Sequence, residues 1–175
     1  AETRFLKLNL KAGNSEEGFG ISELNFLDIK NSLTPNDFLI YVAKNSPEGN
    51  YPGYFLDAAS YWTIVGVNND VKEVLINEDG MVEVEKGKFS IEPVLKVDGQ
   101  LVNWNNATTW QFLEDKYLPI PSVQWNYSGV ILETKVFANG KGSKSPNLFI
   151  RYKLSSLASV VRNVKLFLLI RPFQV

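Results

Sequence analysis

YWTIVGVNNDVKEVLINEDGMVEVEKGKFSIEPVLKVDGQLVNW, residues 61–104, together with PSVQWNY at 121–127, decides the fold. The stretch is a series of short apolar-polar segments broken by turn signals: NND at 68–70, EDG at 78–80, KGK at 86–88 and DG at 98–99. Asp-Gly turns require positive φ at their central positions, which Asp and Gly adopt at little cost. Segments of about 4–8 residues between such turns are too short for stable helices and suit antiparallel strands. The reading is a meander of hairpins.

Working outward, Val123–Tyr127, Val130–Ala138, Leu148–Leu154 and Val164–Pro172 read as four further strands. Within Val130–Ala138, the apolar set Val130, Leu132, Val136 and Ala138 alternates with Ile131, Glu133, Lys135 and Phe137. Thr134 takes an inward position. Toward the N-terminus, Leu6, Leu8 and Leu10 alternate with lysines and Asn9, and Ile21–Ile29 resumes extended character after the polar loop AGNSEEGFG. Asp37–Lys44 fits either a strand or a helical face and is read as a short helix, with Thr34 or Asn36 as its cap and Gly49 beyond its end. NNATTWQFLEDKYLPIPS at 105–122 reads as a long connection carrying Trp110, Phe112 and Tyr117.

The expected fold is all-β: an antiparallel two-sheet β-sandwich of eight to ten strands, with at most one short helix near 36–44. Residues 1–35 form a separate strand pair plus linker, and residues 36–175 form the sandwich. The last strand, LFLLI within Val164–Pro172, carries the continuous apolar pattern of a strand covered on both faces. No covering element follows it, so the sandwich is expected to be truncated at its C-terminal end. Because the chain starts at Ala1 without Met, it is expected to be a processed product or an excised piece.

Composition narrows the chemistry. The 175 residues are 45% hydrophobic and 13% aromatic, enough for a sizeable core. Lys+Arg 18 against Asp+Glu 19 gives a net charge of −1, and no basic run points to nucleic acid or an anionic membrane. No stretch approaches the roughly 20 apolar residues of a membrane span. The absence of Cys excludes disulfides and thiolate zinc sites. The absence of His excludes Ser-His-Asp hydrolysis and His-based metal sites. No cofactor is expected, and carboxylate chemistry remains open.

YWTIVGV, LINEDGMVEVEKGKFSIEPVL, LEDKYLPIPSVQW and LFLLIRPFQV occur in one order. Together they resemble the N-terminal β-sandwich domain of bacterial proteins related to six-hairpin glycosidases. FLKLNL followed by GFGISELNF resembles the closing strands of a discoidin-like module. The resemblance implies a partial supersandwich of the galactose-mutarotase-like type that packs on a catalytic (α/α) barrel. It also implies polysaccharide handling in the periplasm or outside the cell.

Three sets of residues are candidates for chemistry. Glycoside hydrolysis needs two carboxylates flanking the bond, about 5–5.5 or 6.5–9.5 Å apart. Glu92, Glu114 and Asp115 are the candidates, although adjacent residues in an extended segment point to opposite faces, as surface carboxylates would. Trp104, Trp110 and Tyr117 flank or follow a loop rich in Asn and Thr and form a candidate sugar-binding platform; the alternative is packing within the sandwich or at a domain interface. Trp62 and Trp125 sit in apolar strands and are assigned to the core. Arg171, a charge inside an apolar strand, either pairs with a carboxylate such as Glu92 or lies at the surface. The resulting expectation is a non-catalytic sandwich domain of a carbohydrate-active enzyme. An independent carbohydrate-binding module and a purely structural domain are the alternatives. Self-association through the 164–172 strand is expected of the isolated chain.

Overall fold

The expected hairpins form where the turn chemistry places them. β1 (Trp62–Val65), β2 (Val74–Asn77), β3 (Val82–Val84), β4 (Phe89–Val97) and β5 (Gln100–Val102) follow one another antiparallel in one sheet. Asp98 and Gly99 join β4 to β5 with φ of 49° and 93°, the positive pair that a two-residue hairpin turn needs. β6 (Thr108–Leu113), β7 (Pro121–Tyr127), β8 (Val130–Asn139) and β9 (Asn147–Ser156) form a second, four-stranded sheet. β10 (Val164–Arg171) returns to the first sheet and pairs with β4 along Val164↔Val97 to Arg171↔Ser90. The computed structural model describes residues 33–141, 146–157 and 162–172, together with positions 7, 9, 24, 26 and 28. The strand pair expected within residues 1–35 therefore lies outside the described residues.

One element corrects the sequence reading. Thr108–Leu113, assigned to a long connection, is a six-residue strand paired with β7 from Thr108↔Asn126 to Leu113↔Pro121. Its two threonines, Trp110 and Phe112 are residues that fit a pleated surface. Neither face of the strand is dry, so its residues show no alternation of burial.

The two sheets enclose a core of Val82, Leu95, Val97 and Val102 from one side and Val123, Trp125, Leu132 and Val136 from the other. Each such side chain contributes about 1.5–3 kcal/mol by leaving water. Thr134 points inward and is buried, as the alternation of β8 requires. Trp125 ties the sheets together: its indole Nε1 donates to the Asp79 carbonyl in the β2–β3 turn at 2.9 Å.

A second layer covers the far face of the first sheet. Helix α1 spans Pro35–Lys44. Thr34 caps it by accepting from the Asp37 N–H at 3.1 Å, while the Asp37 carboxylate accepts from the Thr34 N–H at 2.8 Å. Pro35 at the first helical position makes Thr34, not Asn36, the cap. A short 3₁₀ turn at Gly53–Leu56 follows, and Phe55 and Ala43 form a small buried cluster with Tyr51 and Tyr54 packed against it.

The opposite rim is open. Val164 and Leu166 pack on the core, but Leu168 and Ile170, next along the same face of β10, are 45% and 71% exposed. Leu154 on β9 and Phe167 on the other face of β10 are exposed as well. β10 and β9 are each the last strand of their sheets among the described residues.

Candidate functional site

The three candidate aromatics do not share one environment. Trp104 is half-buried against the core, and its Nε1 donates to the Tyr51 carbonyl at 3.2 Å. It is part of the packing between the core and the 45–56 segment. Trp110 is 48% exposed on β6 and lies on the outer face of the four-stranded sheet, in register with Gln124, Glu133 and Lys153. On the same face Phe137 and Phe149 stack with ring centroids 5.1 Å apart, and Arg151 pairs with Glu133 at 2.6 Å. Tyr117 is 75% exposed just after a 3₁₀ turn at Glu114–Lys116. Trp125 is core, as expected, whereas Trp62 is half-buried and meets Tyr54 with centroids 6.2 Å apart.

Two of the three candidate carboxylates are tied to cations. Glu114 is ion-paired to Lys135, and the hydrogen bond from that lysine holds its carboxyl below the usual range. Asp115 is exposed in the turn with φ of 49°. Glu92 is buried on the covered face of β4 and meets Arg171 Nε at 2.6 Å, so the charge inside the apolar strand has the expected partner. Burial pushes the Glu92 carboxyl up to about 7; Arg171 pulls it down and Asp79 adds a smaller upward push. Arg171 also donates to the Asn50 carbonyl at 2.7 Å and lies 5.2 Å over the Tyr51 ring.

Around this pair sits a buried polar patch. Glu83 and Ser90 are opposite one another on β3 and β4, and Arg171 lies opposite Ser90 on β10. All three therefore share one sheet face. The Ser90 and Tyr54 hydroxyls lack hydrogen-bond partners within the described residues. Burial, and then Glu83 and Glu92, raise the Tyr54 phenol above its ordinary range. Asp79, at the β2–β3 turn, is pushed up to about 6 by burial and by Glu78. This patch holds the 45–56 segment on the sheet. With Glu83 and Glu92 both buried, it offers no face to a substrate.

The sequence reading missed a cleft of about 330 Å³ where β1 and β2 of one sheet face β6 and β7 of the other. Thr63, Ile76, Gln111, Leu113, Pro121 and Val123 line it from inward strand positions. Asn77, Phe112 and Ser122 border it from strand positions on the opposite sheet faces, and Asn77 Oδ1 accepts from the Asp79 and Met81 N–H groups at 3.1 and 2.8 Å. Thr63 shares the face of buried Val65, and Gln111 lies opposite Val123, so each is a polar residue at an inward strand position. That break in alternation was the available signal.

Among the described residues, no group of three or more His, Cys, Asp or Glu is placed to hold a metal ion. No helix among them is long and apolar enough to cross a membrane. No family model, curated protein or solved structure matches the chain.

Proposed function

We propose that this chain is a non-catalytic β-sandwich domain of a carbohydrate-active enzyme related to six-hairpin glycosidases, packing on a catalytic (α/α) barrel and helping to shape a glycan cleft. The observation that carries the reading is the open apolar rim of β10, where Leu168 and Ile170 on the core-facing side are left uncovered. An exposed apolar patch of this kind is a surface for another body to bury. The involvement of Glu92 and Glu114 in ion pairs supports a structural role for both carboxylates. In the isolated chain the same rim recruits a second copy through the 164–172 strand. In this reading the protein works in the periplasm or outside the cell, where polysaccharide is met.

The test is an assay of the purified chain on a panel of aryl glycosides and polysaccharides. No turnover is expected. Turnover abolished by a single Glu or Asp substitution would overturn the reading.

A second reading, carbohydrate binding by this domain itself, is favoured by one specific observation: the Thr63 hydroxyl and the Gln111 amide on inward strand positions at the inter-sheet cleft.

A further inference from the structure

We propose that a cavity of about 250 Å³ beside the β4–β5 turn is a binding site for a small oxyanion, held between the ammonium groups of Lys96 and Lys165. Its walls are Lys96, Gly99, Asn163 and Lys165. Two of the four are cations and none is an acid.

The strand register brings the lysines together. Lys165 on β10 lies directly opposite Lys96 on β4, so both side chains stand on the sheet face away from the core residues Leu95 and Val97. Like charges at directly opposite positions destabilise a strand pair, and a counter-charge between them removes the penalty. The neighbouring strand positions supply none. On its other side Lys96 faces Leu101 of β5, and the next pair along the same face is Val94 with Phe167.

Asp98, in the adjoining turn, is committed elsewhere. Its carboxylate accepts from Arg162 Nη1 and from the Asn163 N–H, each at 2.9 Å. The Asp98 N–H in turn donates to the Asn163 carbonyl at 2.9 Å. This reciprocal pair fastens the β4–β5 turn to the start of β10 and fixes Gly99 and Asn163 as walls of the cavity. Walls already in place lower the ordering cost of binding.

The chemistry selects an anion with several oxygens. Two ammonium groups offer charge-assisted donors, and the Asn163 amide can add a neutral one. A carboxylate, sulfate or phosphate accepts from all three. A neutral sugar leaves the repulsion between the lysines in place, and a cation adds to it. The volume lies below the roughly 300–1,000 Å³ of drug-sized pockets and suits a single small group. A Cβ built at Gly99 meets no atom within 4 Å, so the approach is open. Where the oxyanion is the carboxylate or sulfate ester of a glycan, the polysaccharide of the proposed function is an acidic one. That extension rests on the proposed function, whereas the anion site does not.

The experiment is a ¹H–¹⁵N NMR titration of the 175-residue chain with sodium sulfate, sodium phosphate and trigalacturonate, ionic strength being held constant with sodium chloride. Maltotriose serves as the neutral counterpart. Saturable shifts are expected at the amides of Lys96, Gly99, Asn163 and Lys165 with at least one of the oxyanions, and no shifts with maltotriose. Lys96→Gln and Lys165→Gln should each weaken binding at least threefold, and the double variant should abolish it. The urea midpoint of each ligand-free variant should be unchanged or higher, because the repulsion is relieved.

Shifts that merely track ionic strength, or that survive in the double variant, would overturn the site. Equal shifts with maltotriose would overturn recognition by charge. Trigalacturonate binding more tightly than sulfate and phosphate supports a glycan-borne anion, and the reverse order supports a free one. Failure of every oxyanion to bind would overturn the site and leave the barrel-packing reading to the glycoside assay.

Discussion

Burial and ion pairing pull the Glu92 carboxyl in opposite directions, and Glu92→Gln shows which one prevails. Arg171 at 2.6 Å favours the carboxylate, while burial at 3% exposure favours the acid. Burial dominates, since the group is raised from 4.5 to about 7. Between these values the folded protein holds a proton that the unfolded chain has released, so stability falls as pH rises. The stabilisation from that proton is fully present below about 4.5 and gone above about 7. At about 1.4 kcal/mol per unit, the window amounts to about 3 kcal/mol. The glutamine side chain of the variant does not titrate. The stability of wild type relative to Glu92→Gln should therefore drop by about 3 kcal/mol between about pH 4.5 and pH 8. Asp79, raised to about 6, adds a slope of the same sign to both proteins, because its causes are burial and Glu78. Taking the difference removes it except for the smaller Glu92–Asp79 repulsion, which acts in the wild type alone. Urea unfolding followed by tryptophan fluorescence reads the effect as a relative midpoint change of roughly 1–2 M. A gap that stays constant with pH would mean that Arg171 keeps Glu92 ionised throughout. A gap widening in favour of wild type at high pH would reverse the reasoning outright.

Three further outcomes follow from the geometry. Thr34→Ala removes the helix cap and should cost about 1 kcal/mol, seen as faster hydrogen exchange of the Phe38–Ala43 amides; unchanged exchange would mean that tertiary contacts alone hold the helix. Gly49→Ala imposes a side chain at φ +87°, with its Cβ 2.4 Å from Asn103 Oδ1, and should destabilise by about 1–3 kcal/mol in the same urea assay. A neutral effect would show that Asn103 and the 45–56 segment shift freely. Leu168→Lys, on the open rim, should lower the self-association of the isolated chain in light scattering. A clean wild-type monomer at high concentration would remove the rim from the argument.

The strands most legible in the sequence are those whose turns announce them. Asp98-Gly99 and Ser128-Gly129 adopt the two consecutive positive φ values that set a hairpin register, and the alternation of β8 then places Thr134 inside. Arg171 was legible for a different reason: a charge inside an apolar strand demands a partner, and Glu92 was among few carboxylates in a comparable setting. β6 was not legible. Both of its faces are partly exposed, so no alternation marks it, and its pairing is defined by β7 rather than by its own residues. The helix cap was ambiguous until Pro35 is considered, which leaves Thr34 and Asp37 to form the reciprocal pair.

The cleft was hidden for a reason that follows from the same physics. Thr63 and Gln111 lie on strands from different sheets, and nothing local to either strand says that they face a common space. What the chain does display locally is a conflict: a polar residue on an inward face, at Thr63 and Gln111, both left exposed at the open edge of the sandwich. Such conflicts are where local rule and global fold part company, and they concentrate at functional sites. The departures from alternation at Thr63 and Gln111 meet at one cleft, whereas Trp104, Trp110 and Tyr117, prominent in the sequence, separate into a packing contact and two exposed rings.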